Sequence, residues 1–367
     1  MQHLQRAFAA LGLVAAAAAQ AQSSVNVYGI VDVALEQVKS IGAQNQTLNR
    51  MPGNTGSVPS RLGFRGAEDL GGGLRAVFTL EMGFAPDTGT FSQGNRGFGR
   101  QAFVGLSGPW GALTLGRQYT MLYWSLLEAD QLGPNLYGSG SLDAYIPNAR
   151  ADNAIAYKGT FSGLTLGATY SFGRDTVNAG SPAGTNCAGE SADSSRSCNE
   201  GSLLAKYDTD AWGAALAWDQ IKGGPGALGG LTSAMNDTRV TANGYVRFAG
   251  FTGFKAVAGV LYRDNQASAA TPRSNLWWVG GSYFVTPLLQ LEGQLFQLDY
   301  KDSPNQSTLA AARGTYFLSK RTAVYATCGQ INNDGTLALS ASAGGAGTNP
   351  APGGSQFAWA LGVRHSF

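Results

Sequence analysis

The chain has 367 residues with 25 Lys plus Arg against 23 Asp plus Glu, and only 13% of its positions are charged, which excludes the basic footprint of a nucleic-acid binder. With 52 Gly, 10% aromatics and only 13 Pro, it departs from an ordinary helical enzyme and from a Pro-rich disordered chain alike. Two histidines, His3 and His365, leave little for His-based catalysis or a His-rich metal site, and no cofactor or metal is expected. In chain order, residues 1–21 read as an export leader: Arg6, the apolar run 7–19, then Ala19-Gln20-Ala21 as a small-x-small cleavage pattern. That run is shorter than the ~20 residues needed to span hydrocarbon, so an anchor is the weaker reading. The remainder, 22–367, is expected to form one domain.

After residue 21 no stretch is apolar for long enough to form a membrane-spanning helix, yet the segments alternate with period two. Val25, Val27, Gly29, Val31, Val33 and Leu35 fall on one face, and Asn26, Tyr28, Asp32 and Glu36 on the other. Leu74, Ala76, Phe78, Leu80 and Met82 likewise oppose Arg75, Thr79 and Glu81. In the last segment Phe357, Trp359, Leu361, Val363 and Phe367 share a face on which His365 is the polar member. Strands are predicted over 24–38, 60–69, 73–83, 97–107, 110–118, 152–160, 163–173, 201–209, 211–222, 237–249, 253–265, 275–285, 288–300, 309–319, 321–331 and 356–367.

These sixteen strands are joined by tight turns and long loops in alternation, the tight turns near residues 69–73, 107–110, 160–163, 208–211, 249–253, 285–288 and 318–321. An up-and-down meander of that kind puts all turns at one rim and all loops at the other. Lipid supplies the reason: a sheet crosses hydrocarbon only when closed, with an apolar outside and an inside free to be polar. Trp110, Phe161, Trp212, Phe251, Phe254, Phe284 and Phe317 crowd the strand ends beside the short turns, as an interface girdle would. The fold class is therefore all-β, a sixteen-stranded antiparallel transmembrane β-barrel. At this strand number the interior is too wide for its own side chains to fill, and it encloses water.

Cys187 and Cys198 lie eleven apart in a polar stretch, and an exported chain favours their closure into a disulfide that staples a long loop. Cys328 sits in an alternating apolar segment and reads as a packing residue. The long stretches 174–200 and 332–355 are expected to be exposed loops.

With these residues in view, the chain resembles the general porins of the Gram-negative outer membrane, in the branch common among β-proteobacteria. The carriers are SSVNVYGIVDVAL, SRLGFRGAEDLGGGLRAVFTLEMGF, RQAFVGLSGPWGALTLGRQ and the closing WALGVRHSF. The resemblance implies a diffusion channel for small hydrophilic solutes and ions, set among outer-membrane lipids. It also implies a homotrimer, a third loop folded into the lumen, and a terminal Phe367 read by the outer-membrane insertion machinery. By the same resemblance loop 119–151 is the constriction loop, carrying the acids Glu128, Asp130 and Asp143, although the family's Pro-Glu-Phe-Gly motif is missing there.

The family's facing basic wall falls on Arg61, Arg100 and Lys158. Alternation turns Arg61, Arg65, Arg75 and Glu81 away from lipid, where an Arg or Lys near the midplane would cost about 2–4 kcal/mol, and Glu81 is counted with Glu128, Asp130 and Asp143 as an acid of the constriction; for Arg100 the alternation is ambiguous. Arg61, Arg100 and Lys158 are read as a rail that draws anions and gives a mild anion preference. For Arg65, Arg75 and Arg117 the favoured reading is compensated wall charge. A substrate-specific porin is the nearest alternative. A barrel enzyme lacks a catalytic constellation around His365, and a secreted β-rich adhesin has no reason to segregate its turns from its loops.

Overall fold

The computed structural model describes residues 24–53, 56–174, 187, 189–248, 253–269 and 271–367, so the expected leader and Phe251 lie outside the described residues. Eighteen strands follow in order: β1 (Ser24–Ile41), β2 (Gln46–Arg50), β3 (Arg61–Gly71), β4 (Leu74–Gly83), β5 (Gln101–Gly108), β6 (Gly111–Tyr119), β7 (Arg150–Ala151), β8 (Ala154–Phe161) and β9 (Leu164–Ser171). The second half comprises β10 (Glu200–Asp208), β11 (Trp212–Lys222), β12 (Asn236–Phe248), β13 (Phe254–Asn265), β14 (Arg273–Thr286), β15 (Leu289–Tyr300), β16 (Gln306–Phe317), β17 (Thr322–Asn333) and β18 (Ser355–Ser366).

Sixteen of these are the predicted crossing strands. Each pairs antiparallel with its neighbours, and β1 closes the ring on β18 from Ile30 opposite Ser366 to Val38 opposite Ala358. The two extra strands are short rim pieces. β2 continues the edge of β1 above the point where β3 leaves it, and β7 pairs with Gln118 and Tyr119 of β6. The predicted strand at 97–107 starts later, at Gln101, which leaves Arg100 just outside it.

The described tight turns share one rim with the start of β1 and the end of β18. The Phe161–Leu164 hairpin turns through Ser162 (φ 48°) and Gly163 (φ 87°), the paired positive φ angles that match the twist of the flanking strands. At the same rim the backbone of Phe367 exchanges hydrogen bonds of 3.1 and 3.0 Å with Gly29. Its ring occupies the space a side chain at Gly29 would need.

Burial is inverted relative to a water-soluble fold. On β1, Val27 is 59% and Leu35 58% exposed, whereas Asp32 is 0% and Glu36 3% exposed. The same alternation exposes Val104, Leu203, Leu216, Val279 and Leu361 on the outside, which only a hydrocarbon solvent makes favourable.

The inside departs from the expectation of a wholly wet wall. Leu261, Leu276, Trp278, Phe296, Leu309 and Ile331 point inward from β13 to β17 and are buried. They are covered by loop 3, residues 120–153, through Leu122, Leu126, Leu132, Leu136, Tyr145 and Ile146. The stretch 332–355, expected to be an exposed loop, also turns inward, with Ala341, Ser342 and Thr348 at 0% exposure. Ala343 N–H donates to Leu136 O (2.8 Å), and Ser141 Oγ donates to Ala341 O (2.7 Å), so this last loop is laid on loop 3.

Candidate functional site: the narrowed lumen

Loop 3 leaves β6 at Tyr119, makes a helix over Met121–Leu126 and returns through β7. Because it is backbone inside a barrel, its polar groups need partners, and the wall supplies them. Met121 N–H donates to Ser202 Oγ (3.0 Å), and Trp278 Nε1 donates to Ala129 O (2.8 Å). Asp143 accepts from Arg239 Nε (2.7 Å) and Nη2 (3.0 Å), and Arg239 and Arg263 both reach Asp237, at 3.1 and 2.8 Å. Tyr145 Oη lies 2.8 Å from both Glu200 and Asp219, and Arg174 reaches Glu200 at 3.3 Å. Burial alone would raise the Asp143 carboxyl, but Arg239, with Arg263 behind it, overrides that and holds it at about 2.

The anchors press loop 3 against β10–β17 and leave a cavity of about 510 Å3 on its other side. Four arginines line it: Arg61 at the start of β3, Arg100 before β5, Arg150 in β7 and Arg313 in β16. Arg100 Nε donates to Glu81 (2.7 Å), while its Nη2 and Arg150 Nη2 donate to the same Tyr119 hydroxyl, at 2.5 and 3.2 Å. The Tyr119 ring stacks on Tyr123 of loop 3 at 3.7 Å between centroids. Arg313 Nε donates to Glu292 (2.6 Å), and Arg61 Nε to Pro59 O (3.1 Å).

Asp130 is the one carboxylate among the described lining residues. Burial raises it to about 6, against the hydrogen bond from Ser139 (2.5 Å) that pulls it down. Four guanidiniums against Glu81, Glu292 and Asp130 leave one net positive charge, or two once Asp130 is protonated.

Of the residues singled out in the sequence, the cavity brings together Arg61, Arg100 and Asp130. Glu81 does not oppose the basic wall; it belongs to that wall as the partner of Arg100 and acceptor from the Tyr28 hydroxyl (3.0 Å). Arg117 is buried against Asp152 and donates to Gly99 O (2.7 Å), away from the cavity lining. Lys158 lies over the Trp124 ring at 3.1 Å, and Arg65 over the Tyr28 ring at 5.2 Å. Arg75 is exposed beside the turn that follows β3. Glu128 pairs with Lys255 (2.9 Å) and Arg247 (3.2 Å) on the β12–β13 wall, and Asp143 is an anchor. Cys187 and Cys198 are joined, with Cα atoms 5.8 Å apart, and Cys328 is free and half-buried.

Two lining arginines escaped the sequence reading. Arg313 was within reach of it: Ser307, Leu309, Ala311 and Thr315 are the buried positions of β16, and Arg313 keeps their phase. Arg150 had no periodic signal, since it stands at the return of loop 3.

Comparison with known proteins agrees with this architecture. The family model described as Gram-negative porin matches residues 7–336. Outer membrane porin protein 32 of Delftia acidovorans is 31% identical over 382 residues, covering 99% of this chain and 100% of that one. An outer membrane porin protein of Bordetella pertussis is 34% identical over 221 residues, 56% of each chain. Among solved structures, the anion-selective porin from Comamonas acidovorans superposes with a TM-score of 0.75 at 24% identity, covering 94% of this chain and 100% of that one. OmpF of Salmonella typhi does so with 0.59 at 16% identity, covering 94% and 97%. The chain belongs to the Gram-negative porin family: it is a β-barrel channel of the outer membrane, not an enzyme.

Proposed function

We propose that this porin is a passive pathway for small hydrophilic solutes and ions with a mild preference for anions. The observation that carries the reading is the cavity lining, in which Arg61, Arg100, Arg150 and Arg313 face a single carboxylate, Asp130. The similar Comamonas porin, itself described as anion-selective, supports the same sign. Two unit charges about 10 Å apart at an effective dielectric of about 20 interact by about 1.7 kcal/mol. Salt with a Debye length of about 8 Å weakens this further. Such a field biases ion flux by about an order of magnitude and does not make a strict filter.

The same reading includes removal of residues 1–21 on export, insertion by the outer-membrane machinery through the strand that ends at Phe367, and assembly as a homotrimer among outer-membrane lipids. The position of Phe367 at the barrel seam, against Gly29, supports the second of these. The reversal potential of the purified protein in a planar bilayer across a KCl gradient tests the selectivity. A potential of the sign set by chloride is expected, and one set by potassium rejects the charge assignment.

A further inference from the structure

Part of the cavity wall is out of character for a water-filled passage. Beside Arg61 and Arg100 it presents Phe84, Phe91, Tyr123 and Leu127. Leu127 is 47% and Phe91 45% exposed, although neither belongs to a membrane-spanning strand. On the outside of the barrel lipid covers such groups. Here water would, and exposed hydrocarbon gains free energy only when something apolar displaces that water. A small inorganic ion or a sugar gains nothing from these side chains.

The arginines facing them are held rather than free. Arg100, only 3% exposed and fixed between Glu81 and the Tyr119 hydroxyl at 2.7 and 2.5 Å, supplies charge from within the wall, while the half-buried Arg61, its Nε held by Pro59 O at 3.1 Å, presents the rest of its guanidinium to the cavity. Planar guanidinium groups match a carboxylate with two parallel hydrogen bonds. The cavity of about 510 Å3 falls within the usual range of small-molecule sites, about 300–1,000 Å3, which combine apolar walls with a few placed polar groups.

We propose that the solutes this channel favours are organic monocarboxylates with an apolar ring or branched body, the carboxylate passing along the arginines while the hydrocarbon slides over Leu127 and Phe91. This rests on the anion-preferring reading above and narrows it to a chemical class. Hydrophilic carboxylates of the same charge feel the same arginines but leave the apolar wall wet.

The test uses the whole protein in planar bilayers in KCl near neutral pH, with cyclohexanecarboxylate or shikimate added. Shikimate is a ring carboxylate of the same charge and similar size that carries three hydroxyls. Cyclohexanecarboxylate is expected to halve the chloride current at about one-tenth the concentration shikimate needs. Leu127→Asn brings the two to within about twofold, and Leu127→Met keeps them apart. Equal half-blocking concentrations in the wild type overturn the proposal, as does a difference that survives in Leu127→Asn with Phe91→Asn. The reversal potential in KCl alone, recorded in the same membranes, separates the two readings. Potassium preference removes the anion reading itself, whereas chloride preference with equal block by both acids removes only the apolar-body proposal.

Discussion

The lumen holds two groups of arginines with opposite fates. Arg239 and Arg263 on one wall, with Arg174 beside them, are engaged by Asp143, Asp237 and Glu200 and hold loop 3 down. Arg61, Arg100, Arg150 and Arg313 line the cavity that loop 3 leaves: Arg61 and Arg313 are half-buried there, Arg100 and Arg150 are only 3% exposed, and the carboxylate partners Glu81 and Glu292 lie behind the lining. Both groups obey the same rule, that charge must face inward in a lipid-solvated barrel. What separates them is the carboxylate that loop 3 brings: Asp143 meets the first group, and only Asp130, with a raised pKa, meets the second. Inward charge is therefore a condition for a selective wall and not yet a sign of one.

The largest effect is expected from breaking the anchoring group. Arg239→Met leaves Asp143 buried without its main partner, and losing one member of a buried pair costs about 3–5 kcal/mol. The temperature at which the heat-modifiable folded band disappears should fall, and the open-channel current should become noisy as loop 3 loosens. Wild-type thermal stability with a quiet channel would show that the apolar seam alone holds the loop.

Acid probes the same anchor. The Asp143 carboxyl lies below its ordinary value in the folded chain, so its contribution is present above about pH 4 and is lost as pH falls toward about 2. Asp143→Asn should remove that acid-labile portion, read as a smaller difference in thermal stability between neutral and acid buffers.

The lining group should respond in selectivity and not in stability. Arg61→Glu replaces a half-buried wall charge that has no ion pair among the described residues. The permeability ratio should move toward cations by about tenfold at low salt and much less at 1 M, where the Debye length is about 3 Å. A ratio unchanged at low salt would mean that Arg61 is not at the narrowing.

Asp130 gives a smaller, titratable effect. Its pKa is raised, so the fold favours the protonated form: folding stability rises as pH falls from about 6 toward 4, and the lumen gains one positive charge over the same range. Anion preference should increase severalfold as pH drops through about 6, and Asp130→Asn should show the acid value at neutral pH with the pH dependence gone. The smallest effect belongs to Arg75→Gln beside the tight turn, for which a permeability ratio within about twofold of wild type is expected.

The barrel was legible because its code is short-range. Alternation over segments such as residues 25–35, with tight turns and long loops taking turns between them, fixes strand, face and rim without knowledge of any partner. The interior was legible only in part, because a side chain's neighbours there come from remote chain. Glu81 of β4 meets Arg100 just ahead of β5, which alternation alone did not reveal. The seat of loop 3 did leave a trace. Leu276, Trp277, Trp278 and Val279 are apolar on both faces of β14, with Trp277 and Val279 toward lipid and Leu276 and Trp278 beneath the loop. A strand that is apolar inside as well as outside must be covered by something in the lumen. The inward packing of the 334–354 loop has no such signal, since its Ala-, Ser- and Gly-rich sequence also suits an exposed loop.

The most direct measurement is the zero-current potential of the wild-type protein in a planar bilayer, recorded across a tenfold KCl gradient and repeated with Arg61→Glu. The account predicts conducting channels whose wild-type potential has the sign of chloride preference and shifts toward potassium in the variant. Membranes that stay insulating, or a wild-type potential of the potassium sign, would contradict it.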